Sequence, residues 1–303
     1  MTRSRLAGAI ILAGVGLYLA GILLPYLSIH GSLVRARGVL VFGPTSGTES
    51  ALNFGGYRNW SAATPLVLMF VVAVAALGVV QHRRSEIHGG IAASVGLALL
   101  LLSLGTVIQS LHPLPSPFAG GSFGTSADVG AVMWPLGAFL IAIGGLIASW
   151  DHVESSRGWK RVDPAVVVLL AGLGLFVAAY FTSATRGFPA LLSWNSLVLR
   201  WTQPLFWIAL SVFATVIVVL WLVVSAATAE PPPGLIGAVV GFGIYGLVRS
   251  VDGLGSIGAA GFTPGPSEYL GIAGGALLLV GAAVVGRGRR LFPVTNESRT
   301  PSP

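Results

Sequence analysis

Eight long apolar stretches dominate this chain of 303 residues. An α-helix needs about 20 apolar residues to cross a hydrocarbon core, and most of the stretches approach that length. Only 9% of the residues are charged and the mean hydropathy is +0.85, which excludes an ordinary water-soluble surface. The pattern predicts an all-α polytopic membrane protein with eight transmembrane helices, over residues 6–29, 65–81, 90–110, 130–150, 165–183, 204–226, 235–249 and 268–286.

An internal repeat divides these helices into two groups of four. The run LAGVGLYLA at 12–20 returns as LAGLGLFVA at 170–178, and Trp60 and Trp201 each precede a proline that opens the next helix. Four crossings bring the chain back to the same side, so the two halves are predicted to be parallel repeats. We therefore divide the chain into a first four-helix membrane repeat (1–150), a cytoplasmic linker (151–164), a second four-helix membrane repeat (165–290) and a disordered cytoplasmic tail (291–303).

The basic residues indicate how the chain is oriented. With the N-terminus inside, eleven of the seventeen Lys and Arg residues fall in the segments on the cytoplasmic side. This is the positive-inside pattern, and it predicts a multi-pass protein of a bacterial cytoplasmic membrane with both termini in the cytoplasm. The net charge of +7 is thus explained by topology. The expected partner is the lipid bilayer, and no nucleic acid is expected to bind.

Three short motifs point to a known type of membrane protein. They are LPYLS at 24–28, a Gly-rich outer loop with a Trp before the second helix, and GPSEYLG at 265–271. In these features the chain resembles uncharacterised four-helix membrane proteins that are common in actinobacteria, here in tandem duplication. The resemblance implies a four-helix fold for each half. It implies no chemistry, and so no catalytic or binding residue.

Two strings resemble enzyme motifs without the structural setting that those motifs require. The string at 120–124 fits G-x-S-x-G, and the string at 253–258 fits G-x-G-x-x-G. We interpret both as glycine-rich outer loops between membrane helices, because the motifs need a neighbouring β-strand. The chain has no cysteine, and its five histidines show no ligand spacing. No ionisable residue lies near the centre of a predicted helix. We expect no enzyme activity, no cofactor and no metal.

The outer face carries the candidate site. Each half has an arginine beside a tryptophan, and an acid that begins its last helix: Arg58, Trp60 and Asp128 in the first half, and Arg200, Trp201 and Glu268 in the second. We predict that Arg58 faces Asp128 and that Arg200 faces Glu268, with Trp60 and Trp201 as interface anchors. A structural role is favoured over a ligand site, because an acid at a helix N-terminus is stabilised by the helix dipole.

The longest outer segment, 31–61, contains two β-prone runs at 33–37 and 39–42, which predict a small hairpin. Exposed loops of this kind are the expected surface for an envelope protein partner. The leading hypothesis is therefore a non-catalytic accessory or scaffold component of a bacterial cell-envelope complex. The alternative is a permease-like protein that moves a lipid or another apolar substrate through the interface between its two halves. A deep cavity there would favour transport, and a closed, glycine-packed seam would favour the scaffold.

Overall fold

The computed structural model describes residues 3–32, 44–50, 63–81, 85–111, 123–150, 164–186, 204–228, 231–259 and 261–291. Within these ranges the chain is mainly helical and contains eight helices, as predicted. The eight helices described are α1 (Arg3–Leu23), α2 (Ala63–Val80), α3 (Ser85–Leu111), α4 (Val129–Ser149), α5 (Pro164–Tyr180), α6 (Pro204–Thr228), α7 (Pro233–Ala259) and α8 (Pro266–Leu291).

Six of these helices are long and apolar enough to cross a membrane, namely α1, α3, α4, α6, α7 and α8. The helices α2 and α5 are also apolar but shorter. Large apolar side chains point away from the bundle. Phe70 of α2 is 71% exposed, and Phe213 of α6 is 61% exposed. Such faces are stable against lipid rather than water, so the chain is a multi-pass membrane protein.

A small antiparallel sheet lies where α1 ends and α4 begins, and we call this end of the bundle the sheet side. In this sheet Ser28 of the central strand pairs with Thr48 on one neighbour and with Ser126 on the other. The strand order is β2-β1-β3, with β1 at Pro25–Ser32, β2 at Pro44–Ser50 and β3 at Phe123–Ala127.

The predicted outer loops are only partly reproduced. The β-prone runs at 33–37 and 39–42 lie outside the described residues, so the predicted hairpin stays a prediction. The interpretation of 120–124 as a glycine-rich loop is wrong for Phe123 and Gly124, which begin β3. Phe123 and Gly124 pair with Gly31 and His30 of β1. This pairing between distant segments was not predicted from the sequence.

Helices α1 and α4 pack backbone against backbone. A methyl group on Gly14 would lie 2.7 Å from the carbonyl oxygen of Gly137, and one on Gly137 would overlap the backbone of Tyr18. Tyr18 itself is fully buried. At the other end of the pair, Arg3 donates hydrogen bonds of 3.0 and 2.8 Å to the carbonyl oxygen of Ile147, near the end of α4. A cation here stabilises the C-terminus of the helix.

Helices α5 and α8 make the same kind of contact. A methyl group on Gly274 would lie 2.9 Å from the carbonyl oxygen of Gly172 and 2.5 Å from the backbone nitrogen of Phe176. Phe176 is buried, as is Leu278 one turn along α8. Close glycine contacts let neighbouring helices gain dispersion energy over a long interface. The buried apolar residues form two clusters. One lies mainly among helices α1, α2, α3 and α4, and the other lies among α5, α6, α7 and α8.

The two clusters meet along α3 and α7. The carbonyl oxygen of Gly234 occupies the space where Gly90 would carry a side chain, and Ile87 occupies that space at Gly237. One turn further, Gly241 faces the Ser94 hydroxyl. Glycines on both helices therefore close this seam tightly. Gly237 and Gly241 therefore pack against α3 of the same chain.

Helix α7 is longer than the sequence analysis predicts. It runs from Pro233 to Ala259, whereas the predicted helix ended at Arg249. The interpretation of the G-x-G-x-x-G string at 253–258 as an outer loop is therefore wrong, because these residues are helical. Helix α7 thus contains both Arg249 and Asp252, whereas the predicted helix ended at Arg249 and left Asp252 outside. Packing against α8 stabilises the helix despite its glycines.

Candidate functional site

A cavity of about 220 Å³ lies between α5, α7 and α8 near their sheet-side ends. Its lining is unusually polar for a membrane bundle. The ionisable and hydroxyl-bearing residues that line it are Tyr180 from α5, Arg249, Ser250, Asp252 and Ser256 from α7, and Ser267 and Glu268 from α8. Charged side chains within membrane-spanning segments are costly and usually mark a functional site. This cavity is therefore the candidate site.

Helix α7 supplies more of the lining than α5 or α8 does, mainly from one face. Arg249, Asp252, Gly253 and Ser256 are spaced at i, i+3, i+4 and i+7, so they follow one another along one side of the helix. This spacing is the sequence signal that could have revealed the site. It was missed because the predicted helix stopped at Arg249, where the apolar stretch gives way to glycine-rich sequence.

Arg249 is held by Tyr180 in two ways. Its guanidinium group donates a 2.7 Å hydrogen bond to the Tyr180 hydroxyl. The guanidinium carbon also lies 5.1 Å from the centre of the tyrosine ring, within range of a cation–π interaction. Tyr180 itself packs edge-on against Phe176. The cation is thus fixed to the last turn of α5 while it lines the cavity.

Glu268 brings a negative charge to the opposite wall. It lies in the first turn of α8, where the helix dipole favours a carboxylate. Its carboxylate is within hydrogen-bonding reach of Ser250 and close enough to Arg249 to be attracted by it. A methyl group on Gly253 would lie 2.7 Å from this carboxylate, so glycine is what admits Glu268 to the face of α7. The neighbouring Ser267 donates a 2.7 Å hydrogen bond to the carbonyl oxygen of Ala179.

Asp252 is the second acid of the cavity. Its Oδ2 atom accepts a 2.5 Å hydrogen bond from the hydroxyl of Thr64, a buried residue in α2. Its Oδ1 atom is buried and has no hydrogen-bond partner among the described residues. A buried carboxylate oxygen without a donor is unfavourable by about 1–3 kcal/mol. The site therefore contains an acceptor that a bound molecule could satisfy.

The predicted outer-face residues are partly described. Asp128 caps α4: its Oδ1 atom accepts a 2.8 Å hydrogen bond from the backbone of Val129, and its Oδ2 atom accepts one of 2.9 Å from Ser28. The helix-terminal position predicted for this acid is therefore present. Its predicted partner Arg58 lies outside the described residues, and so do Arg200, Trp60 and Trp201. The two predicted pairs and both anchors accordingly stay predictions.

Among the described residues, Glu268 has the oppositely charged neighbour Arg249, a pairing that was not predicted from the sequence. Among the described ranges no group of three or more His, Asp or Glu residues is arranged to hold a metal ion. What the site offers is one guanidinium, two carboxylates and several hydroxyls around a space. That arrangement can bind and orient a small polar molecule. Comparison with family profiles, curated proteins and solved structures finds no match to this chain.

Proposed function

We propose that the chain is a tandem duplication of one four-helix membrane unit. The packing of α1 on α4 and of α5 on α8 supports this, because matched residues make matched contacts. Gly14 and Gly172 occupy the same position in the repeated run, and they pack against Gly137 and Gly274 respectively. The next turn repeats the relation: Gly137 meets Tyr18, whereas Gly274 meets Phe176, the residue matched to Tyr18 in the repeated run.

The contacts of α3 and α7 extend this correspondence. Gly96 packs on Ala142 of α4, and Gly243 packs on Leu279 of α8. Ala142 and Leu279 are equally far along the chain from Gly137 and Gly274. We therefore match Gly96 of α3 to Gly243 of α7. Both helices are 27 residues long. The match supports eight crossings arranged as two parallel repeats, with the boundaries 1–150 and 165–290 given above.

The proposed function is that of a non-catalytic accessory or scaffold protein in a bacterial cell-envelope complex. The observation that carries it is the α3–α7 seam, where glycines of both halves, such as Gly90 and Gly234, bring the backbones into contact. A closed seam suits a rigid platform better than a moving carrier. The sheet supplies the exposed surface for a partner, and the basic residues favour placing that sheet outside, with both termini in the cytoplasm.

Photocrosslinking in cells tests this function. A photoreactive residue replaces Ser126, which is exposed at the sheet, and in a matched chain it replaces Phe213, which lies on the lipid-facing side of α6. We expect the same envelope protein to be captured reproducibly from position 126 and not from position 213. A chain that purifies alone from mild detergent and captures no protein from position 126 would contradict the scaffold function.

A second candidate is the permease-like protein for an apolar substrate. A mainly apolar cavity of about 60 Å³ between α3, α6 and α7, lined by Leu101, Trp207 and Tyr245, favours it. This volume corresponds to about two water molecules. Because such a space is too small for an acyl chain, we place transport second to the scaffold function. Reconstituted vesicles that move a fluorescent lipid, with the movement abolished when Gly105 beside Trp207 is changed to Leu, would support transport. Vesicles that move no lipid would count against it.

A further inference from the structure

The charged cavity is not something that the bundle needs in order to fold. With the residue matching proposed above, on which this step rests, the first half has Leu102 where the second has Arg249. It likewise has Gly105 in place of Asp252. When α4 and α8 are aligned through Gly137 and Gly274, it has Ala131 in place of Glu268, and Asp128 lies three residues earlier, where it caps α4. One half therefore packs with small or apolar residues where the other carries three charges. Because charges inside a membrane bundle cost free energy, their presence in one half alone indicates a task beyond packing.

The charged residues of the cavity indicate a ligand that carries both a positive and a negative group. Arg249 has five N–H donors, of which Tyr180 accepts one, and the side chain lines the cavity. The Oδ1 atom of Asp252 is buried and has no hydrogen-bond partner among the described residues, and Glu268 adds a second carboxylate nearby. A simple anion would meet two carboxylates, and a simple cation would meet a guanidinium. A molecule with an ammonium group and an anionic group a few bonds apart can bind the carboxylates and the guanidinium at the same time.

The size and position of the cavity narrow the ligand further. A volume of about 220 Å³ corresponds to ~7 water molecules. That space suits a small polar group and not an acyl chain. Glu268 lies in the first turn of α8, and Thr64, which bonds Asp252, lies in the first turn of α2. The ends of membrane-spanning helices lie at the depth of lipid headgroups.

We propose that this cavity binds a zwitterion in which a primary ammonium is joined to a phosphate or carboxylate. Arg249 binds the anionic group through its guanidinium donors. Asp252 and Glu268 accept hydrogen bonds from the ammonium, and the Oδ1 atom of Asp252 gains its missing donor. The zwitterion has two sources with the same chemistry, the phosphoethanolamine headgroup of a membrane lipid or a free molecule such as O-phosphoethanolamine.

Native mass spectrometry of the full chain tests the site. The chain is purified in detergent and offered equal amounts of three lipids with the same acyl chains, carrying phosphoethanolamine, phosphocholine or phosphoglycerol headgroups. Phosphocholine has the same charges but no N–H donor, and phosphoglycerol has no cation. We expect retention of the phosphoethanolamine lipid to exceed that of the other two by about tenfold, the value of one charge-assisted hydrogen bond.

Variants taken from the first half supply the control. In Arg249→Leu, Asp252→Gly and Glu268→Ala each residue becomes the one that the matched position already holds, so we expect folded chains that lose the preference. Ser103→Ala, at the position matched to Ser250, should retain the preference, since its hydroxyl bonds within α3 to Leu100. Elution as a single species and an unfolding midpoint verify folding. If Arg249→Leu fails to fold, Arg249→Lys replaces it, and we expect weakened selectivity from the lost guanidinium geometry.

Soluble competitors identify the source. Displacement of the lipid by O-phosphoethanolamine supports a free zwitterion as the ligand, and retention of the lipid in its presence supports the lipid headgroup. Equal retention of the three lipids, or a preference that Arg249→Leu leaves unchanged, would overturn the proposal, as would displacement by inorganic phosphate as efficient as that by O-phosphoethanolamine. These readouts require no partner protein, so the site and the scaffold function can fail independently.

Discussion

Thr64 of α2 donates a 2.5 Å hydrogen bond to Asp252 of α7. The two residues lie 188 positions apart in the sequence. Thr64 is 5% exposed, so water does not compete strongly for its hydroxyl. The bond thus ties the charged face of α7 to the first turn of α2, and it fixes one of the two oxygens of the Asp252 carboxylate.

Replacing Thr64 should destabilise the chain measurably. Thr64→Ala removes the hydroxyl that donates to Oδ2 of Asp252, and we expect this to cost about 1.5–3 kcal/mol, as for other hydrogen bonds to charged groups. The measurement is the thermal unfolding midpoint of the purified chain in detergent. Thr64→Ser keeps the hydroxyl and should restore most of the lost stability. An unfolding midpoint of Thr64→Ala equal to that of the parent chain would show that the bond does not contribute.

Glycines of the α1–α4 contact should be far less tolerant of substitution than a glycine of the same helix pair that faces outward. Gly137→Val would force a side chain into the backbone of Tyr18, and overpacking of this kind typically costs about 1–3 kcal/mol or more. Gly16→Val is the matched control, because nothing lies within 4 Å of the added atom at that position. We expect a lowered unfolding midpoint for Gly137→Val only. Equal midpoints for the two variants would contradict the close packing of α1 on α4.

A single methyl group on α7 should disturb the cavity and leave the fold intact. In Gly253→Ala the added carbon meets the Glu268 carboxylate at 2.7 Å, which is the movable end of a side chain. Glu268 is then displaced, and we expect the preference for the phosphoethanolamine lipid to fall by about tenfold. Gly258→Ala adds the same group to the same helix in open space. This control should bind like the parent chain, and a similar loss in both variants would argue against the role of Glu268.

The absence of cysteine makes the orientation simple to test. A chain with Ser126→Cys carries its single thiol on the sheet, and a chain with Trp150→Cys carries it at the opposite end, where Trp150 is 70% exposed. In right-side-out vesicles a membrane-impermeant maleimide should label position 126 at once, and position 150 only after permeabilisation. The reverse order would place the termini outside and reject the orientation inferred from the basic residues.

Hydrophobic periodicity and length were sufficient to predict most of the fold. Helices that consist of uninterrupted apolar residues, such as α4 and α6, begin and end within a few residues of the predicted bounds. Helix α7 was cut short, because Arg249 and the glycines that follow it resemble the end of a membrane segment when the chain is considered alone. Its last turns form because α8 and Thr64 of α2 contact them, and such tertiary contacts are not visible in local sequence.

The candidate site was harder to predict than the helices. Glu268 was identified from its position at a helix start, and that position is confirmed, but its described charged neighbour Arg249 comes from α7. The pairing depends on Gly253, which admits the carboxylate to the helix surface. A sequence shows that a glycine is present without showing what approaches it. The sheet was missed for a similar reason, since β3 pairs with a strand near the beginning of the chain.

The cap of α4 links the sheet to the membrane bundle mechanically. Asp128 bonds Ser28 of β1 with one oxygen and the backbone of Val129 with the other. Single residues join β1 to α1 and β3 to α4, and the carboxylate adds a hydrogen-bonded link between β1 and the first turn of α4. A force that pulls on the sheet is carried from there by the α1–α4 glycine contact to Arg3, which bonds the far end of α4. Tension applied on one side of the membrane would reach the other side along a single stiff column.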